Sequence, residues 1–130
     1  MLKPLIRTAF IAIALAAASG VFAQATAPAK IADTSKGKTL VDAKGMTLYT
    51  FDKDSGGKSA CSGQCATNWP PLMAAAGTTA SGDWTLVTRD DKSSQWAYKG
   101  KPLYTFIKDT KPGDVTGDGV FNGAWHVAMP

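Results

Sequence analysis

Eleven residues recur at a fixed offset, and that repetition limits what the chain can fold into. Lys44-Gly45-Met46-Thr47-Leu48-Tyr49-Thr50-Phe51-Asp52-Lys53-Asp54 lines up with Lys99-Gly100-Lys101-Pro102-Leu103-Tyr104-Thr105-Phe106-Ile107-Lys108-Asp109, 55 positions later, with eight of the 11 identical. Trp69 and Trp125 align behind these segments with one residue inserted. An ungapped match of this quality implies a duplicated supersecondary unit, each copy needing its neighbour to cover an apolar face. The expected architecture is a small single domain of two pseudo-symmetric β-hairpin repeats, all-β or mainly β with short helical turns.

The local pattern supports strands. Residues 39–43, 46–51, 84–88, 95–98, 103–106 and 125–128 are rich in β-branched and aromatic side chains and are separated by Lys-Gly turns or Asp- and Gly-rich loops. Alternation places Tyr49 and Phe51 on one face and Leu48 on the other. Residues 61–68 suit a helical turn. Pro70 and Pro71 argue against a central paired strand at their position. Residues 74–82 read as a connector, so repeat one spans about 34–73 and repeat two about 84–130.

The amino end reads differently. Lys3 and Arg7 occur without an acid, an apolar run follows over 9–18, and a small-residue site ends at Ala23. These are the parts of a cleaved secretory signal over 1–23. A membrane span needs about 20 apolar residues, more than this run supplies. Residues 24–33 read as a flexible Ala/Pro linker before a secreted domain over 34–130. Removing the signal leaves 12 basic side chains against 10 aspartates, a net charge of +2. That is too small to argue for nucleic acid or an anionic membrane as partner, and no stable membrane insertion is expected after cleavage. The expected location is the periplasm or the medium.

Four features could carry chemistry. Cys61 and Cys65 are spaced by three residues, whereas thioredoxin-type dithiols and haem attachment use two. In an exported chain the pair reads as a structural disulfide, with a redox or metal-binding thiol pair as the alternative. The Tyr-x-Phe-x-x-Asp pattern occurs as Tyr49, Phe51, Asp54 and as Tyr104, Phe106, Asp109. Its mechanical reading is two buried rings followed by a turn-fixing aspartate. Its functional reading is a repeated ligand site where phenols and carboxylates converge. Asp52, Asp54, Asp109, Asp114 and Asp118 supply oxygens near glycines, but no closing glutamate completes a calcium loop. His126 is the single histidine, and with Met129, Met46 or Met73 it would suit copper. No nucleophile elbow or phosphate-cradling loop is present, so the expectation is a non-enzyme without a resident cofactor. Calcium or copper is the alternative.

The doubled motif, with Cys-Ser-Gly-Gln-Cys-Ala-Thr-Asn-Trp-Pro-Pro-Leu after its first copy, resembles the bacterial secreted-repeat family of predicted lipoproteins. The resemblance covers about 34–130. It implies that Tyr49, Phe51, Asp54, Tyr104, Phe106 and Asp109 are signature positions, with Cys61, Cys65 and Trp69 adjoining. The family has no assigned activity, so no catalytic residue is carried over. The lipid-bearing cysteine is missing here, which removes membrane anchoring from what the resemblance implies. The functional expectation is a soluble periplasmic module that binds or supports an envelope component or small ligand without catalysis. The second reading is a metal- or redox-linked accessory protein. Trp69 and Trp125 are expected to have packing roles.

Overall fold

Each duplicated Leu-Tyr-Thr-Phe segment pairs with the opposite repeat. In the computed structural model, which describes residues 28–130, the elements of the described residues begin in chain order with β1 (Lys30–Thr34), β2 (Gly37–Val41) and β3 (Tyr49–Phe51). They continue with α1 (Gln64–Asn68), β4 (Met73–Ala74), β5 (Trp84–Thr88), β6 (Ser94–Tyr98) and β7 (Lys101–Pro102), and end with α2 (Val120–Gly123) and β8 (Trp125–Val127). The chain is mainly β with short helical turns, as the sequence pattern predicts.

Strand β3 pairs antiparallel with β8, Tyr49 opposite Val127 and Phe51 opposite Trp125. The second copy repeats the arrangement with the partners exchanged. Tyr104 stands opposite Pro71, and Thr105 N donates to Pro70 O at 2.8 Å. Asp52 N donates to Ala124 O at 2.8 Å in one copy, and Ile107 N to Asn68 O at 2.9 Å in the other. At the centre, Tyr49 and Tyr104 bond each other's backbone, with N–O distances of 2.7 and 3.0 Å. An approximate dyad therefore passes between the two tyrosines, and the halves are interlocked.

The expected strand over 103–106 is corrected by this geometry. It is reduced to isolated bridges at Tyr104, because Pro70 holds the place that His126 holds opposite Thr50 and has no N–H to return. The linker reading of 24–33 also needs correction from Lys30 onward. Residues 30–33 belong to β1, which pairs with β2 in the register Lys30–Val41 to Thr34–Gly37. The alternation of Lys30, Ala32 and Thr34 against Ile31 and Asp33 is strand-like, and β1 follows the short Ser35-Lys36 turn backwards from β2. The connector starts later than expected too, since Met73 and Ala74 pair with Gln95 and Ser94 of β6. Strand β5 pairs along the whole of β6, and β7 pairs with its Ala97 and Tyr98. The signal segment 1–23 and the first part of the linker lie outside the described residues.

Two apolar clusters form the interior. One gathers Tyr49, Phe51, Cys61, Trp69, Tyr104, Phe106, Trp125 and Val127. The other gathers Ala29, Leu40, Leu48, Leu103 and Ala128, with Leu72, Trp84 and Tyr98 against them. Leu48 and Tyr49 thus face opposite sides, as period-two alternation requires. The Lys-Gly turns before both copies need a left-handed residue, and Gly45 (φ +86°) and Gly100 (φ +84°) provide it.

Candidate functional site

The six signature residues meet in the first cluster. Phe51, Trp125, Trp69 and Phe106 form a four-ring stack in that order. The two indoles lie 3.7 Å apart and 1° from parallel. Phe51 stacks on Trp125 at 4.2 Å and Phe106 on Trp69 at 4.0 Å. Tyr49 packs edge-on against Trp69, and Tyr104 edge-on against Trp125. Each such pair adds about 0.5–1.5 kcal/mol beyond the area it buries. Gly117 is required by this packing, since a Cβ there would stand 2.6 Å from the Trp69 ring.

The phenols and carboxylates converge across the dyad. Tyr49 Oη donates to Asp109 Oδ2 at 2.6 Å, and Tyr104 Oη donates to Asp54 Oδ2 at 2.7 Å. The motif of one repeat is therefore completed by the aspartate of the other. Each aspartate also fixes its own loop: Asp54 Oδ1 accepts from Ala60 N, and Asp109 Oδ1 from Thr116 N. The groups thus converge on one another, and each aspartate fixes its own turn. Both tyrosines are fully buried, so the convergence is closed to substrate. Burial, reinforced by the facing carboxylates, pushes both phenols far above the ordinary tyrosine range. Burial also raises the Asp54 carboxyl, against the opposing pull of its hydrogen bonds and Arg89.

Sequence reasoning did not single out the groups around Tyr104. Ser59 Oγ lies 2.6 Å from Tyr104 Oη. Arg89 donates to Ser59 Oγ, to Gln95 Oε1 and to Cys61 O. Gln95 is fully buried and donates from Nε2 to Leu103 O. Alternation in the sequence would turn Trp96 and Tyr98 inward, whereas the structure buries Gln95 and Ala97. Arg89 sits beyond β5 in a polar turn and carries no signal. On the dyad-related side Gly117 N donates to Tyr49 Oη at 3.2 Å instead.

Cys61 and Cys65 form a disulfide with their Cα atoms 5.2 Å apart. Cys61 is buried against the ring cluster, which makes the bond part of the core's wall. The repeat offset of 56 places Gly117 and Phe121 where copy one has these cysteines.

The metal candidates are dispersed. Among the described residues no three His, Cys, Asp or Glu side chains gather in a metal-binding group. Asp114 accepts from Thr110 N and Lys111 Nζ, and the Lys111 contact holds its carboxyl down at about 2. Asp118 accepts from Val127 N and pairs with Lys36. His126 Nε2 lies 2.8 Å from Asp52 Oδ2 at the surface. Met129 lines the same hollow as His126 and Asp52, but so do Lys99 and Lys101, whose charges oppose a cation. Met46 and Met73 do not line it.

A different face stands out by its shape. Phe121 is 69% exposed and lines two hollows over the ring stack. One hollow is lined by Trp69, Phe106, Lys108, Thr116 and Val120. The other is its dyad mate, lined by Trp125, Phe51, Lys53, Gln64 and Cys65. No sequence signal pointed to Phe121, because a lone phenylalanine in a Gly-rich loop reads as a buried anchor.

Comparison with known proteins gives one match. Residues 30–73 and 85–129 each match the family described as a secreted repeat of unknown function. The two matched stretches cover more than half of the chain and correspond to the two interlocked halves. No curated protein and no solved structure matches the chain.

Proposed function

The chain belongs to the secreted-repeat family, and from that premise we propose that it is an exported, non-catalytic binding or structural module of the cell envelope. The observation that carries this reading is the closure of the signature residues on one another. Two buried phenols, two carboxylates and four stacked rings hold the halves together, so the motif acts as a scaffold and partners meet the surface. Export through a signal cleaved near Ala23 to the periplasm or medium fits the basic start, the apolar run over 9–18 and the small residues at the cut. A disulfide suits that compartment. Among the described residues no helix is long and apolar enough to cross a membrane.

Two measurements test the reading. Intact mass of the protein recovered from periplasm and medium should correspond to a chain starting at Gln24 with one disulfide; recovery in the cytoplasm at full length would remove export. Asp109→Asn should lower stability by about 1–3 kcal/mol, because the amide turns an N–H toward the Tyr49 or Thr116 donors. A variant as stable as the parent in urea would contradict the scaffold role of the motif.

A further inference from the structure

The two repeats diverge most where Phe121 replaces the cysteine of copy one. Copy one closes its turn with Cys61–Cys65. Copy two has no such bond, and its ring stands out into solvent on a left-handed backbone, φ +67° at Phe121 followed by φ +57° at Asn122. Consecutive non-glycine residues in that region are costly, and such strain gathers at functional positions. Packing does not account for it, since Val120 and Ala124 make the turn's contacts with the ring cluster.

The surroundings select an occupant by charge and shape. Phe121 and Asn68 wall both hollows, and each carries one lysine, Lys53 or Lys108, and no carboxylate; Asp52, which shares a third hollow with Phe121 and Lys53, faces His126 at 2.8 Å. Among the described residues neither lysine is in an ion pair. The floors are rings of the stack, Trp69 and Phe106 in one hollow and Trp125 and Phe51 in the other. A protruding ring flanked by apolar recesses is the form of an anchor in a macromolecular interface, whereas small-molecule sites enclose their ligand. The positive rim calls for negative charge on the partner. We infer that the Phe121 face docks an acidic protein segment bearing apolar side chains, laid across the dyad. Its carboxylates meet Lys53 and Lys108, and its apolar side chains enter the two hollows.

The test uses the mature protein and a random copolymer of glutamate and tyrosine as probe, followed by tryptophan fluorescence, since Trp69 and Trp125 floor the hollows. The parent should bind the copolymer, and polyglutamate at least about tenfold more weakly. Phe121→Gly should lose binding by a similar factor while melting at a higher temperature, which separates lost contact from lost fold. Lys53→Gln with Lys108→Gln should weaken binding and flatten its dependence on salt. Equal affinity of Phe121→Gly and parent for the copolymer would overturn the inference, as would equal binding of polyglutamate. Absence of copolymer binding together with Phe121-dependent partition onto phosphatidylglycerol vesicles would assign the face to lipid. Phe121-dependent dimerisation in sedimentation, with no copolymer binding, would assign it to a second copy; either result overturns the acidic-segment partner.

Discussion

Raising the pH past 10 should unfold the domain through Tyr49 and Tyr104. Both are fully buried, and each donates to a carboxylate, at 2.6 and 2.7 Å. A phenolate in either place would lose that bond and face a negative charge. Burial first, and the carboxylates with it, therefore raise both folded-state values above the ordinary 10. A raised folded pKa stabilises fully below the unfolded value. That stabilisation is lost as pH climbs from 10 toward the folded values, where the unfolded chain releases protons that the folded chain keeps. Each tyrosine then removes about 1.4 kcal/mol per pH unit, and the pair about twice that. Small domains have roughly 5–15 kcal/mol in total, so one or two pH units above 10 remove a large share. Urea denaturation from neutral to strongly alkaline pH, followed by near-ultraviolet circular dichroism, measures the loss. Tyrosinate absorbance in a Tyr98→Phe background reports the two buried phenols alone, because the chain has three tyrosines. The urea midpoint should be level up to pH 10 and fall beyond it, with tyrosinate appearing only as tertiary signal disappears. Tyr49→Phe should roughly halve the slope. Full tyrosinate absorbance near pH 10 in a protein with intact tertiary signal would refute the crossed-pair account.

Gly117→Ala should destabilise by about 1–3 kcal/mol in urea melts, because its Cβ would meet the Trp69 ring at 2.6 Å within a stacked core; an unchanged midpoint would mean that the stack yields freely. Replacing Cys61 and Cys65 by serine should lower stability by about 2 kcal/mol for so short a loop, and more if Cys61 packing is lost with it. Phe121→Gly should raise stability by about 1 kcal/mol in thermal melts, since glycine adopts φ +67° without strain.

The sequence exposed the duplication, the strand content and the burial of the motif because each of these is written locally. Strand β5 is read directly from the β-branched and aromatic content of Trp84-Thr85-Leu86-Val87-Thr88, and the opposed faces of Leu48 and Tyr49 follow from period two. The exchange of partners was not legible. Tyr49 has the same neighbours in sequence whether it bonds Asp54 or Asp109, and only the three-dimensional pairing decides. Strand β1 was missed because Lys30 to Asp33 continue an Ala- and Pro-containing stretch, and its partner β2 supplies the order that composition does not suggest. The segment at 103–106 failed for the opposite reason. Its own residues are strand-like, but the prolines that interrupt its ladder lie more than 30 positions earlier.

The interlock also bears on where function can reside. The elements that obey the dyad are the backbone exchange at Tyr49 and Tyr104, the crossed carboxylates and the ring stack. Each has an equivalent in the other copy, and each is needed to close a core that neither repeat closes alone. Departures from the dyad are under no such constraint. The disulfide and Ser59 of copy one, joined by Arg89 and Gln95 from repeat two, tighten the wall around Tyr104. The copy-two side lacks that bracing and instead holds a phenylalanine out into water on strained backbone. A mutation to glycine at Phe121 would relieve that strain without disturbing any dyad-related contact. The acidic segment inferred above would give the ring a contact that the interior of the domain does not supply.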